Sequence, residues 1–183
     1  VVDIGSGTTS AAVMSMGRII QAASLRIGGE AFNEGLIRHL RDRLNIQIDR
    51  PLAEEIKLEI GTVSRRGRRS TQIIRGRDNI TGLPTSLRLS SQDTVAGLEE
   101  PLTDILACIH RVLEKTPPEL AADLLEEGIV LTGGGALLEG MDECIQAGTH
   151  VRTRVAASPR ECVARGAAMA LEDRGLLEIL EGK

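Results

Sequence analysis

The chain has 183 residues, 42% of them apolar, with a single aromatic (Phe32) and a formal net charge of −4. That length allows one large domain or two small ones around an aliphatic core, and the negative charge with almost no aromatics argues against a nucleic-acid binder. No apolar run nears the ~20 residues needed to cross a bilayer and no signal peptide is visible, while three widely spaced cysteines, Cys108, Cys144 and Cys162, read as free thiols of a reducing cytosol.

In chain order, Val1–Ile4, Ser10–Ser15 and Arg18–Arg26 read as a strand meander, with Met16-Gly17 turning between the last two. The chain opens inside a strand without an initiator Met, which predicts the C-terminal portion of something longer. After Gly28-Gly29, the apolar residues Phe32, Leu36, Ile37, Leu40 and Leu44 recur at helical spacing. Pro51 suits a first helical turn, and Leu52, Ile56, Ile60 and Val63 predict a second helix ending between Gly61 and Ser64. Two extended segments are expected around Thr71–Arg75 and Thr85–Leu89, joined through Gly82-Leu83-Pro84. Ser91 to Lys115 predicts a long helix that Pro101 should kink or interrupt. A short helix over Pro117–Leu125, a strand at Ile129–Leu131, a helix over Leu137–Gln146 and a strand over Val151–Ala156 follow. Ser158-Pro159-Arg160-Glu161 has the pattern of a capping box, which predicts a last helix reaching Asp173. Interleaved strands and helices of this kind predict an α/β or α+β fold with a mixed sheet, and the polar stretch from about 46 to 96 reads as an insertion.

Two glycine-rich turns carry the chemistry. Val1-Val2-Asp3-Ile4 leads into Gly5-Ser6-Gly7-Thr8-Thr9, and Ile129-Val130-Leu131-Thr132 leads into Gly133-Gly134-Gly135. Glycines after a strand let backbone approach a ligand without Cβ interference, so consecutive N–H groups can cradle phosphate oxygens. Asp3 at a strand end either meets a Mg²⁺-bound water or caps the turn. Glu54 and Lys57, at i and i+3 of the second helix, either reach one ligand edge or pair with one another. The basic run Arg65, Arg66, Arg68 and Arg69 reads as a solvated loop. His39, His110 and His150 lack ligand spacing, so no metal site follows from them.

These stretches resemble a known family. Val2 to Thr9 is similar to the second phosphate motif of the actin, Hsp70 and sugar-kinase superfamily, and Leu131 to Ala136 to its adenosine motif. Within it, Arg26-Ile27-Gly28-Gly29, Ala53 to Gly61, Ile74-Arg75-Gly76-Arg77-Asp78 with Thr81-Gly82-Leu83-Pro84, Leu113 to Asp123, and Gly128 to Leu138 resemble MreB-type bacterial actins in order. The resemblance implies an α/β fold: the second lobe of the actin-like ATPase (ribonuclease H-like) fold, with an inserted small α+β subdomain. Residues 1–27 and 97–157 would form the large subdomain and 28–96 the small one, while 158–183 would pack on a first lobe. It implies ATP and Mg²⁺ as ligands. Gly5, Ser6, Gly7, Thr8 and Thr9 would hold phosphates, and Glu54 and Lys57 ribose and adenine. Gly133, Gly134 and Gly135 would lie against adenosine and the α-phosphate, and Asp3, with Thr8, would position metal and water.

The acid that activates water belongs to the first lobe in this family, so the chain alone is not expected to be a competent ATPase. Self-assembly into filaments, the cell-wall elongation machinery and the inner face of the cytoplasmic membrane are the implied partners and location of the intact protein, with no nucleic acid. A chaperone or sugar-kinase type ATPase, or a non-catalytic pseudo-actin, is the alternative. Ser6 stands where the family places glycine, and a positive φ there would cost roughly 1 kcal/mol. Pro101 and Arg165 are two further departures.

Overall fold

A computed structural model describes residues 1–172. The expected helix end at Asp173, and the remainder to 183, lie outside the described residues. The first meander forms as the alternation predicts: β1 (Val2–Ile4), β2 (Thr9–Ser15) and β3 (Arg18–Leu25) pair antiparallel. The hairpin between β2 and β3 turns at Met16 (φ 49°) and Gly17 (φ 74°), the doubly positive geometry that matches strand twist. Two later strands, β7 (Ile129–Thr132) and β8 (Thr153–Val155), add on the other side of β1 in parallel. The result is a five-stranded mixed sheet in the order β3-β2-β1-β7-β8.

A second sheet of three antiparallel strands has the order β4-β5-β6, from β4 (Ile46–Gln47), β5 (Thr71–Asp78) and β6 (Pro84–Ser90). The tip of its hairpin is held by Asp78, whose carboxylate accepts the N–H groups of Ile80 and Thr81 and the Thr81 hydroxyl. These bonds, the Thr81 N–H foremost, hold the Asp78 carboxyl below the usual range.

The helices join the two sheets. α1 (Gly29–Leu44) and α3 (Ser91–Glu114) pack against each other, α3 also covers β2 and β3, and α2 (Arg50–Glu59) lies beside α1. α4 (Ala121–Glu127) precedes β7, and α5 (Met141–Thr149) packs on β8. One continuous core results, with Ile4, Phe32, Leu36, Leu40, Ile56, Ile74, Leu89, Leu98, Ile105 and Leu131 fully buried.

Four local expectations are corrected. Pro101 does not interrupt its helix: α3 runs unbroken from Ser91 to Glu114 with Pro101 buried. Proline offers no N–H to the carbonyl of Gly97, and that oxygen instead lies against Gly35 of α1, where a Cβ would sit 2.2 Å from it. Two facing glycines thus let α1 and α3 cross in backbone contact, with the carbonyl that Pro101 leaves free lying in that seam.

The second helix stops at Glu59, so Val63 is core but not helical: Val63 N–H donates to the Glu139 carbonyl at 3.0 Å. A helix from Leu137 is also not formed. Leu138 is extended and Gly140 left-handed, so the helix starts only at Met141. The segment 158–161 is a turn before α6 (Cys162–Glu172). The reciprocal capping chemistry sits elsewhere, at Ser90, whose N–H and hydroxyl both reach the Asp93 carboxylate at 2.8 and 2.7 Å.

All three cysteines are unpaired, and burial pushes the thiols of Cys108 and Cys144 above their ordinary pKa. No helix among the described residues is long and apolar enough to cross a membrane.

Candidate functional site

Parallel pairing of β1 with β7, Val2 opposite Leu131 and Asp3 opposite Thr132, brings the ends of both strands to one edge of the sheet. The two glycine turns therefore emerge side by side, 128 residues apart in sequence as counted from Gly5 to Gly133. This is the strand-end position where open α/β sheets receive ligands.

The first turn closes through the Gly5 N–H to the Thr8 carbonyl at 2.9 Å. It is fastened from outside by the start of α1: the N–H groups of Gly29 and Glu30 donate to the carbonyls of Gly5 and Ser6 at 2.9 and 2.8 Å. Approach this close needs a residue without Cβ at Gly28, where a Cβ would come within 2.5 Å of the Gly5 oxygen. With the carbonyls taken, the N–H groups of Ser6 and Gly7 have no partner among the described residues. Ser6 does not have a positive φ, so the serine is accommodated without left-handed strain.

The second turn lies over the end of β1. Gly133 has φ 81°, and a Cβ there would meet the Ile4 carbonyl oxygen at 2.3 Å. Its N–H donates to the Pro159 carbonyl at 2.8 Å.

Facing these turns, α2 presents Glu54 and Lys57. The i,i+3 spacing does place them on one face, and it also joins them: Lys57 Nζ donates to Glu54 Oε2 at 2.7 Å and to the Gly29 carbonyl at 3.0 Å. The Lys57 side chain is only 11% exposed against 45% for Glu54, so the pair is rooted in the wall rather than free on a surface. Asn33 Nδ2 adds a third bond, to Glu54 Oε2 at 2.6 Å.

Burial raises the Glu54 pKa, but the Lys57 and Asn33 bonds and the charges of Lys57 and Arg160 outweigh it, leaving the carboxyl below its ordinary value. A carboxylate so depressed adds stability above its unfolded pKa of about 4.3, and that contribution is lost as pH falls through the lower folded value. Glu54→Gln is therefore expected to make urea midpoints less sensitive to acidification below about pH 4.5. Identical acid slopes in the two proteins would contradict the bond network.

Together these elements enclose a cleft of about 850 Å³. Of the residues expected at the site, Gly5, Ser6, Glu54, Lys57, Gly134 and Gly135 line it. Gly133 lies behind the turn and shapes it. Gly7 and Thr8 are exposed at the tip of the first loop, outside the cleft lining. Thr9 is fully buried, donates its hydroxyl to the Ile27 carbonyl at 2.8 Å and is outside the cleft lining. Asp3 is half-buried behind the first turn and accepts the Thr132 hydroxyl at 2.8 Å, a bond that ties the two strand ends together.

Sequence reasoning missed Asn33, Arg50, Leu58, Leu137, Glu139 and Arg160. Arg68, expected in a solvated loop, also lines the cleft. Its backbone N–H and guanidinium meet the Glu139 carboxylate, and Nη2 donates to the Glu59 carbonyl at 3.0 Å. Glu139 follows the Gly133–Leu138 stretch directly, a signal the sequence did contain. Arg65, Arg66 and Arg69 stay exposed.

Residues 1–179 match the family model described as MreB/Mbl protein. The chain is 42% identical over 172 residues to the cell shape-determining protein MreB of Escherichia coli (strain K12), covering 94% of this chain and 50% of that protein. It is 38% identical over 173 residues to the cell shape-determining protein Mbl of Bacillus subtilis (strain 168), covering 94% and 52%. It thus spans about half the length of the curated relatives it matches. Among solved structures, MreB5 of Spiroplasma citri bound to AMPPNP superposes with a TM-score of 0.89 at 31% identity, covering 99% of this chain and 54% of that one. A MamK double helical filament shares the fold, at a TM-score of 0.76 and 23% identity. With its family model matched nearly end to end, the chain belongs to the MreB/Mbl family of cell shape-determining, actin-like proteins.

Proposed function

We propose that the chain is the second lobe of an MreB-type actin and that its cleft holds ATP. The observation that carries this is the convergence of Gly5-Ser6, Gly134-Gly135 and the Glu54–Lys57 pair on one cleft, in a chain 31% identical to a protein solved with AMPPNP. The unpartnered Ser6 and Gly7 N–H groups would meet phosphate oxygens. Asp3, with one carboxylate oxygen not engaged by Thr132, and the exposed Thr8 hydroxyl are hard oxygen donors that fit Mg²⁺ through its waters. The metal, when bound, would screen phosphate charge.

In this reading residues 1–27 and 97–157 form the large subdomain and 28–96, which contains the three-stranded sheet, the small one. α6 then begins the segment that packs on a first lobe. Its exposed Val163 (65%), Met169 (64%) and Leu171 (76%) are a greater apolar surface than an isolated helix face needs, and a first lobe would cover it. The intact protein would polymerise into filaments at the inner face of the cytoplasmic membrane and direct cell-wall synthesis and rod shape.

Two titrations test this. The full-length protein carrying this sequence is expected to bind ATP by calorimetry more tightly with Mg²⁺ than without, and to sediment as filaments after ATP addition. The isolated 183-residue chain is expected to bind far more weakly, because it offers one wall of a two-sided site. Absence of binding by the full-length protein at millimolar ATP would overturn the reading, and tight Mg²⁺-dependent binding by the isolated chain would overturn its two-lobe part.

A further inference from the structure

The wall of the cleft carries four cations, Arg50, Lys57, Arg68 and Arg160. Three of them are committed. Arg50 pairs with Glu34 at 2.8 Å, Lys57 with Glu54 at 2.7 Å, and Arg68 with Glu139 and the Glu59 carbonyl. Arg160 makes no ion pair or hydrogen bond through its guanidinium among the described residues. Of the three acids on the same wall among the described residues, Glu54 is held by Lys57 and Asn33 and Glu139 by Arg68, while Glu30, in the first turn of α1, makes no ion pair with Arg160.

Its position is nonetheless fixed at the base. Pro159, immediately before it, accepts the Gly133 N–H at 2.8 Å, so the backbone of this turn is fastened to the second glycine turn. Arg160 Nε lies 4.0 Å from where a Gly134 Cβ would stand, and its charge reaches Glu54 on the opposite wall. The guanidinium therefore stands beside Gly134 and lines the same cavity as Ser6. A solvent-reachable guanidinium without an ion pair among the described residues, lining the same cleft as the unpartnered Ser6 N–H, is a site for an oxyanion. Its planar fork of N–H groups matches two phosphoryl oxygens better than an ammonium would.

We propose that Arg160 is a phosphate-binding residue of the cleft, donating to a phosphoryl oxygen of the nucleotide seated against Gly134-Gly135. This rests on the nucleotide reading above and adds to it a contact that neither glycine turn supplies.

The test is calorimetric titration of the full-length protein carrying this sequence with adenosine, AMP and ADP, as native protein, Arg160→Gln and Arg160→Lys. Thermal unfolding first establishes that the variants remain folded, as expected for an exposed side chain without a protein partner. Arg160→Gln is expected to weaken AMP and ADP by roughly tenfold or more, as for a lost charge-assisted hydrogen bond, and to leave adenosine within about twofold. Arg160→Lys is expected to recover part of the loss. The salt dependence of ADP binding is expected to flatten in the glutamine variant.

An equal loss for adenosine would place the side chain on the nucleoside and overturn the phosphate contact. Unchanged AMP and ADP affinity in folded Arg160→Gln would overturn it while the nucleotide reading stands. Failure of the native protein to bind any of the three would overturn both.

Discussion

Gly133→Ala is expected to lower the stability of the fold by about 3 kcal/mol or more, a fall in Tm on the order of 10 °C. Two effects combine at this residue. Its φ of 81° with ψ of 170° belongs to a region that only glycine enters without strain. An added Cβ would also stand 2.3 Å from the Ile4 carbonyl oxygen and 2.6 Å from its carbon, backbone atoms in the buried strand β1 that have no room to retreat.

Gly134→Ala is the matched control. There an added Cβ meets only Arg160 Nε, at 4.0 Å, and φ is not positive, so a change within about 1 kcal/mol is expected. Equal Tm values for the two variants would show that the second turn is not seated on β1 as described.

Lys57→Met is expected to cost about 2 kcal/mol in urea unfolding and to weaken nucleotide binding by the full-length protein. Methionine keeps the length of the side chain, so the change is in bonding rather than packing. Loss of the ammonium leaves the Gly29 carbonyl without its 3.0 Å donor and Glu54 with Asn33 alone. Because Glu54 is 45% exposed, water recovers part of that loss and keeps the cost moderate. The binding defect follows from position: Lys57 holds Gly29, and the Gly29 N–H holds the carbonyl of Gly5 in the first turn. The double variant Glu54→Gln/Lys57→Met is expected to lose less than the sum of the single losses, since both remove one bond. Strict additivity would mean the two side chains do not act together.

Lys57 also illustrates what local pattern hides. Spacing at i and i+3 was enough to put Glu54 and Lys57 on one helix face. It could not say that α1 would pass close enough for Gly29 to claim the ammonium, because that contact spans 28 residues. Pro101 is a similar case. Read alone it should kink or interrupt α3, yet the helix runs unbroken, with the Gly97 carbonyl that it leaves free set against Gly35 of α1. At Thr9 a hydroxyl beside the first glycine turn suggested a ligand contact. The fold instead sends it inward to Ile27, since β-strand alternation turns residue 9 to the core with Ala11 and Val13.

What the sequence by itself determined is where local pattern is strong: the strands that alternate, the helices with an apolar stripe, and the two turns where a strand runs into glycines. Motif order carried the family as well. Tertiary structure alone decided which of those pieces meet. Parallel pairing of β1 with β7 joins two turns distant in the chain, and the Thr62–Glu139 bridge carries Arg68 to the cleft. Arg160 reaches the same cavity because Pro159 is tied to Gly133. Contacts between residues far apart in sequence depend on how whole faces pack, and the free energy that selects them belongs to the common core rather than to any local stretch.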